Sequence, residues 1–302
     1  MMEPFIKKYE RKRLSTLYIA PAFMYAGTLL ASLIFLGFAM LFAPAASADM
    51  KRILWLDAAA QFAIGMPLCA VCMLQIPADP MERFRMRASD LVKAFMICCF
   101  FMVLGSLIGA ALGKISGLSS DAGIDKILAE SGLPYQIVSI VILAPLWEEF
   151  VFRKLMVDRI NRLGDRAAMV ISAFVFAAYH ANLQQFFYAF GAGLVFAYVY
   201  LRTGKLRYSI VLHMLVNLMY GVLPGRFLLS GDGNLIVSAV IAAVEYICAL
   251  AGFILLILER KRIKLLKGWI RLPKAFPVYA VLNPGMIIMI ACCAGMMFLN
   301  RG

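Results

Sequence analysis

Ile140-Val141-Ile142-Leu143-Ala144-Pro145-Leu146-Trp147-Glu148-Glu149-Phe150-Val151-Phe152-Arg153 is the stretch that decides how this chain is read. An apolar run meets two adjacent carboxylates, and an arginine closes it. The run opens near Tyr135, so at ~1.5 Å per residue Glu148 lies roughly 20 Å along a helix. A charge at that depth in hydrocarbon costs several kcal/mol, and two side by side repel each other. Something must compensate them. On an α-helix Glu149 and Arg153 are i,i+4 and share a face, so they are expected to pair. Glu148 and Arg153 are i,i+5 and point apart. Glu148 is therefore expected to be the carboxylate free to take a proton from water, with Glu149–Arg153 as its support. The bland alternative is a purely structural charge cluster near a helix end.

The rest of the chain supplies the lipid context. Its 302 residues are 63% hydrophobic and 16% charged, with a mean hydropathy of +0.85. Soluble domains are about half apolar and a quarter charged; the excess apolar surface here needs a bilayer. No long polar stretch exists to build a soluble domain. The expected fold is all-α: a polytopic integral-membrane helical bundle of eight or nine spans. Nine apolar segments qualify, at about 17–43, 53–76, 91–113, 135–157, 166–182, 184–201, 207–224, 234–258 and 276–299. The sixth is short and open to a re-entrant reading, which gives eight. The expected organisation is N-terminal helices over 1–134, a four-helix core over 135–224, and C-terminal helices with a basic loop over 225–302. Ala43-Pro44-Ala45 resembles a signal cleavage site. The preceding run exceeds a signal core of about 7–15 residues, so it reads as a retained span.

The net charge of +13 comes from 30 Lys+Arg against 17 Asp+Glu. It falls in short clusters between apolar runs, the positive-inside pattern, with anionic lipid as the partner and nucleic acid excluded. A cytosolic N-terminus with Lys7, Lys8, Arg11, Lys12 and Arg13 places three loops on the same side. They carry Arg83, Arg85 and Arg87; Arg159, Arg162 and Arg166; and Arg202, Lys205 and Arg207. Asp121, Asp125 and Glu130 fall opposite, while Lys51 and Arg52 break the pattern. The segment 259–274 mixes Arg260, Lys261, Arg262, Lys264, Lys267 and Arg271 with Ile263, Leu265, Leu266, Trp269 and Ile270. It reads equally as a helix along the inner leaflet or as a solvated loop. The seven cysteines all lie in apolar runs and read as packing residues. Cys69-x-x-Cys72 has no second pair at ligand distance.

Both histidines of the chain lie in apolar helices. His180 ends Phe176-Ala177-Ala178-Tyr179-His180, and His213 opens His213-Met214-Leu215-Val216-Asn217. A lone histidine in a helix is usually a satisfied core residue; two of two after a buried glutamate pair is a different matter. Asn217 is i,i+4 from His213, so both project from one face and suit hydrogen bonding to a single oxygen. Interhelical hydrogen bonding is the bland reading of Asn217.

Glu148-Glu149-x-x-x-Arg153, Phe176-x-x-x-His180 and His213-x-x-x-Asn217, in that order, resemble the three motifs of the CPBP family. These are the CAAX proteases and bacteriocin-processing enzymes, also called the Abi family of intramembrane peptidases. The resemblance covers about 135–220. It implies that Glu148 and His180 activate water and that His213 and Asn217 stabilise the oxyanion, with Phe176 a packing residue. It implies peptide-bond hydrolysis in a membrane-associated protein or peptide precursor, in a cavity open to the cytosol. Gly191 and Gly193 would allow close helix approach beside it. No cofactor is required on this reading. The alternative is a zinc ion held by Glu148, His180 and His213, although no His-Glu-x-x-His motif is present. The expected location is a bacterial cytoplasmic membrane. The other function classes are a non-proteolytic regulator or immunity protein of the same fold, and a transporter. Only Glu245, in the eighth segment, speaks for the transporter.

Overall fold

A computed structural model of the chain describes residues 2–42, 49–79, 81–116, 131–227, 235–270 and 276–299. Over these it is a helical bundle without strands. The helices are α1 (Met2–Phe42), α2 (Met50–Leu74), α3 (Ala88–Ser116), α4 (Leu133–Leu163), α5 (Asp165–Tyr179), α6 (Leu183–Thr203), α7 (Leu206–Gly225), α8 (Leu235–Glu259), α9 (Phe276–Val281) and α10 (Pro284–Leu299). Among the described residues each of the nine expected segments contains helix, the ninth as two helices, α9 and α10. Among the described residues seven helices, α1–α4 and α6–α8, are long and apolar enough to cross a membrane. The 15 residues of α5 and the 16 of α10 reach only about 22–24 Å, short of a ~30 Å hydrocarbon core. The sixth segment is one continuous helix of 21 residues. Ala43-Pro44-Ala45, Asp121, Asp125, Glu130, Arg271 and Lys274 lie outside the described residues.

Three prolines mark places where the helices change pitch, although Pro21 lies within the unbroken α1. Wide π-helical turns occupy Gln61–Gly65 in α2, Gln136–Leu143 in α4 and Leu218–Val222 in α7. Each ends two residues before a proline: Pro67, Pro145 and Pro224. A proline ring presses on the carbonyl four residues back and offers it no N–H. A wider turn relieves that contact. A fourth wide turn, Phe150–Val157, follows the two glutamates. Neighbouring helices reach carbonyls within these turns. Asn217 Nδ2 of α7 donates to Ile140 O over 2.9 Å, and Ser172 Oγ of α5 donates to Phe152 O over 2.8 Å.

In the core, α6 packs against α3 and α5. A Cβ on Gly191 would stand 2.6 Å from Phe101 Cβ, and one on Gly193 3.1 Å from the Phe176 ring. Both glycines thus sit at the close helix crossings expected of the sixth segment. Farther out, α8 lies on α3, and α1 lies on α2 and α10. Leu29, Leu30 and Leu33 of α1, Leu107 of α3 and Ile247 and Leu250 of α8 are exposed, as lipid-facing side chains would be. The seven cysteines are free thiols.

One end of the bundle gathers the basic loops. Arg13, one of the N-terminal basic cluster, is buried there. Its Nη2 donates to Pro77 O (3.1 Å) and Arg159 O (2.7 Å), because the α2–α3 and α4–α5 connections close over it. Arg162 reaches Glu10 at 3.3 Å and Asp79 at 3.5 Å. Phe84 N–H donates to Thr203 O at 2.8 Å. The N-terminal region, the α2–α3 loop and the α4–α5 and α6–α7 turns therefore meet at one end. The described part of the segment after α8, 260–270, is not helical and is not a free loop. Lys267 bridges Gly164, Ile270 N–H donates to Arg162 O (3.3 Å), and Leu266 N–H donates to Asp165 Oδ2 (2.8 Å). It is a strap pinned to the α4–α5 turn, with Arg260, Lys261, Arg262, Lys264, Lys267 and Trp269 exposed.

Candidate active site

The α-helical turn Ala144–Glu149 sits between two wide turns of α4 and carries both glutamates, each buried. The expected Glu149–Arg153 pair is present: Oε2 and Nε are 3.2 Å apart, with both side chains fully buried. The angle is not that of a hydrogen bond, and none of the Arg153 nitrogens has a hydrogen-bond partner. Instead the guanidinium lies 4.5 Å from the Phe176 ring centre and 5.4 Å from that of Phe196. The charge is held by one carboxylate and two aromatic rings.

His213 of α7 stands between the two carboxylates. Its Nδ1 donates to Glu149 Oε1 (3.0 Å), and its Nε2 is 3.6 Å from Glu148 Oε2. Its ring stacks on Phe196, centres 4.7 Å apart. Glu148 is not the lone carboxylate that helix periodicity predicts, because its partners come from other helices. Tyr179 of α5 donates to Glu148 Oε1 over 3.4 Å, and Gln61 of α2 donates to Tyr179 Oη over 2.9 Å. In the neutral His213 ring, Nε2 is an acceptor. A ring protonated at both nitrogens would donate from Nε2 and bring Glu148, Glu149, Arg153 and His213 to zero net charge.

His180 follows α5 and is half-buried. Its Nδ1 lies 2.8 Å from Phe176 O; donating there leaves Nε2 as the free acceptor. Its ring packs edge-on against Phe176 and Tyr179. No hydrogen bond or ion pair joins it to Glu148 among the described residues. The next residue, Ala181, has φ 48°, a left-handed conformation uncommon outside glycine. That sharp turn leads into α6, where Asn182 caps Gln185 N–H at 2.9 Å. Asn217 lies one turn beyond His213, as expected, but its amide donates to Ile140 O rather than joining His213 at a common oxygen. Phe176 packs between Arg153, His180, Phe196 and His213.

The structure thus brings Glu148, Glu149, Arg153, His213 and Phe176 together, with His180 one ring away and Asn217 turned to a backbone carbonyl. Tyr179, Gln61 and Phe196 were missed by sequence reasoning. Gln61, polar inside an apolar segment, was a usable signal; Phe196, one aromatic among many, was not. In α8, Glu245 Oε1 is buried without a hydrogen-bond partner. As for a metal, no group of three or more His, Cys, Asp or Glu side chains among the described residues is arranged to hold one. His213 Nδ1 is engaged by Glu149 and His180 Nδ1 by Phe176 O. Donation from Nδ1 leaves Nε2 of each ring as the nitrogen open to a ligand, but Glu148, His180 and His213 are not gathered as a three-ligand group among the described residues.

Residues 130–219 match the family model described as Rce1-like, type II CAAX prenyl endopeptidase. The chain is similar to the membrane-embedded CAAX protease MroQ of Staphylococcus aureus, 34% identical over 28% of this chain and 37% of that protein. It is also similar to the putative membrane peptidase YdiL of Bacillus subtilis, 24% identical over 49% of this chain and 64% of that protein. The chain thus spans less than two thirds of the length of either curated relative. No solved structure matches it.

Proposed function

We propose, from the match of residues 130–219 to the Rce1-like family model, that this chain is an intramembrane endopeptidase of the glutamate type. The observation that carries the reading is the buried meeting of Glu148 with His213, Nε2 to Oε2 3.6 Å, beside His180 and on helices of the matched segment. Glu148 takes a proton from a water molecule whose other hydrogen is accepted by His180 Nε2. The hydroxide adds to the peptide carbonyl carbon. His213, protonated at Nε2, donates to the resulting oxyanion, joined by the second Nδ2 hydrogen of Asn217. The C–N bond then breaks, and Glu148 returns its proton to the leaving amine. Glu149 and Arg153 hold His213 and do not touch substrate.

The substrate class is a peptide segment of a membrane-associated protein or precursor. The relatives' names point to C-terminal prenylated tails as one candidate and bacterial peptide precursors as the other; the bacterial sources of both relatives favour the second. On this reading the protein sits in a bacterial cytoplasmic membrane with the basic end of the bundle, and so the N-terminus, in the cytosol. The test is a comparison of new peptide termini in membranes containing the wild type or Glu148→Gln at matched protein levels. Termini unique to the wild type support hydrolysis and identify the substrate. Identical termini overturn it.

A second reading, a non-proteolytic regulator or immunity protein, draws on Asn217, whose amide serves Ile140 O. It predicts that Glu148→Gln preserves the cellular phenotype.

A further inference from the structure

Glu148 is the end of a hydrogen-bonded chain that starts outside the family segment. Gln61 Nε2 donates to Tyr179 Oη at 2.9 Å, and the Tyr179 hydroxyl donates to Glu148 Oε1 at 3.4 Å. Both donors point one way, so each bond polarises the next. Tyr179 and Glu148 are buried, 6% and 5% exposed. Gln61 opens the wide turn Gln61–Gly65 that Pro67 forces on α2. Tyr179 is further fixed from α1: the Tyr25 hydroxyl donates to its carbonyl oxygen, and the two rings stack with centres 6.2 Å apart. The Tyr179 ring also packs on Phe152, one residue before Arg153, at 5.2 Å.

We propose that Tyr179 and Gln61 are positioning residues for Glu148, and that α1 and α2 thereby complete the reacting site of the α4–α7 core. Physical need supports this. A carboxylate has two oxygens; His213 faces Oε2, and Oε1 would otherwise have no fixed partner to set its rotamer. The Tyr179 hydroxyl fixes Oε1 and so aims the carboxylate between His213 and His180. Gln61 supplies the donor that holds the Tyr179 lone pair, which leaves the hydroxyl hydrogen only one direction, toward Glu148. This inference rests on the reading of Glu148 as the proton acceptor, yet its geometry can be tested without turnover.

The experiment uses the full chain in lipid vesicles. Infrared difference spectra assign the Glu148 carboxyl band as the one lost in Glu148→Gln. Tyr179→Phe is expected to move that band, and Gln61→Met to move it less, with the fold intact by helical circular dichroism. In parallel, the rate of formation of wild-type-only peptide termini is followed against the concentration of the substrate they identify. Tyr179→Phe is expected to lower kcat about tenfold, the worth of one hydrogen bond to a charged group, with KM unchanged. A merely structural role would lower the amount of folded protein and leave both the band and kcat per folded molecule alone; that result overturns the proposal. If Tyr179→Phe does not accumulate, Gln61→Met carries the same test from another helix. If the band moves while the wild type makes no new termini, the positioning stands and the peptidase reading fails.

Discussion

His213 donates from Nδ1 to Glu149 Oε1 across 3.0 Å, and this bond decides which nitrogen faces Glu148. The same carboxylate meets Arg153 through its other oxygen at 3.2 Å. Glu149 is therefore shared by two buried cation-forming groups, while Glu148 is left to His213 Nε2 and Tyr179. On the proposed mechanism the two adjacent glutamates are thus divided between support and chemistry by which helices reach each of them.

Replacing each glutamate by glutamine should separate these tasks. Glu149→Gln leaves the Arg153 guanidinium fully buried without a counter-charge, a loss of about 3–5 kcal/mol, so the protein should unfold at lower temperature and accumulate poorly. Glu148→Gln keeps Arg153 paired and should melt near the wild type, while peptide cleavage falls by ~100-fold or more. Thermal unfolding in detergent, read beside cleavage, checks both. Equal losses of stability in the two variants would contradict the division.

Arg153 makes a sharper case, because its charge rests on rings rather than hydrogen bonds. Lysine keeps the charge but not the flat cation that spreads over Phe176 and Phe196. Arg153→Lys should therefore destabilise the protein. A double-mutant cycle with Phe176→Leu should return a coupling of about 1–2 kcal/mol. A coupling near zero would mean that the stacking carries no energy.

Spacing showed some of this site and hid the rest for identifiable reasons. The Glu149–Arg153 pair was legible because i,i+4 contact survives even where α4 widens. The isolation of Glu148 was misjudged because a helix-face argument sees one helix, and its partners arrive from α5 and α7. Asn217 shares a face with His213, yet its amide turns to Ile140 O, a carbonyl in the wide turn before Pro145. That turn was written in the sequence, since Pro67, Pro145 and Pro224 each mark one. The burial of Arg13 was not legible, because nothing local shows that distant parts of the chain close over it.

Pro145 gives the third test. Alanine in its place has an N–H for Val141 O and no ring to press on it, so α4 should tighten toward α-helical pitch. That moves Ile140 O away from Asn217 and rotates the glutamates relative to His213. Pro145→Ala is expected to leave the melting temperature unchanged or higher while cleavage drops about tenfold. Hydrogen exchange should report the altered backbone bonding of residues 136–145. Unchanged exchange and unchanged cleavage would show that the wide turn does not depend on the proline.

The strap after α8 supplies the last prediction. Asp165 Oδ2 accepts from Leu266 N–H at 2.8 Å and pairs with Arg202. It is the charged anchor that holds a basic stretch, rich in potential trypsin sites, to the α4–α5 turn. Asp165→Ala removes a charge-assisted bond worth ~1.5–3 kcal/mol. That raises the population of the released strap roughly tenfold or more, and proteolysis follows that population when cleavage is slow against reclosing. Trypsin should cut after Arg260, Lys261, Arg262, Lys264 or Lys267 about tenfold faster in the variant. On the proposed orientation, with the basic end in the cytosol, the cuts should appear in inverted vesicles and not in sealed right-side-out ones. Rapid cleavage of the wild type at these sites, equal to that of the variant, would mean that Asp165 does not hold the strap. Cleavage in right-side-out vesicles would reverse the assigned orientation.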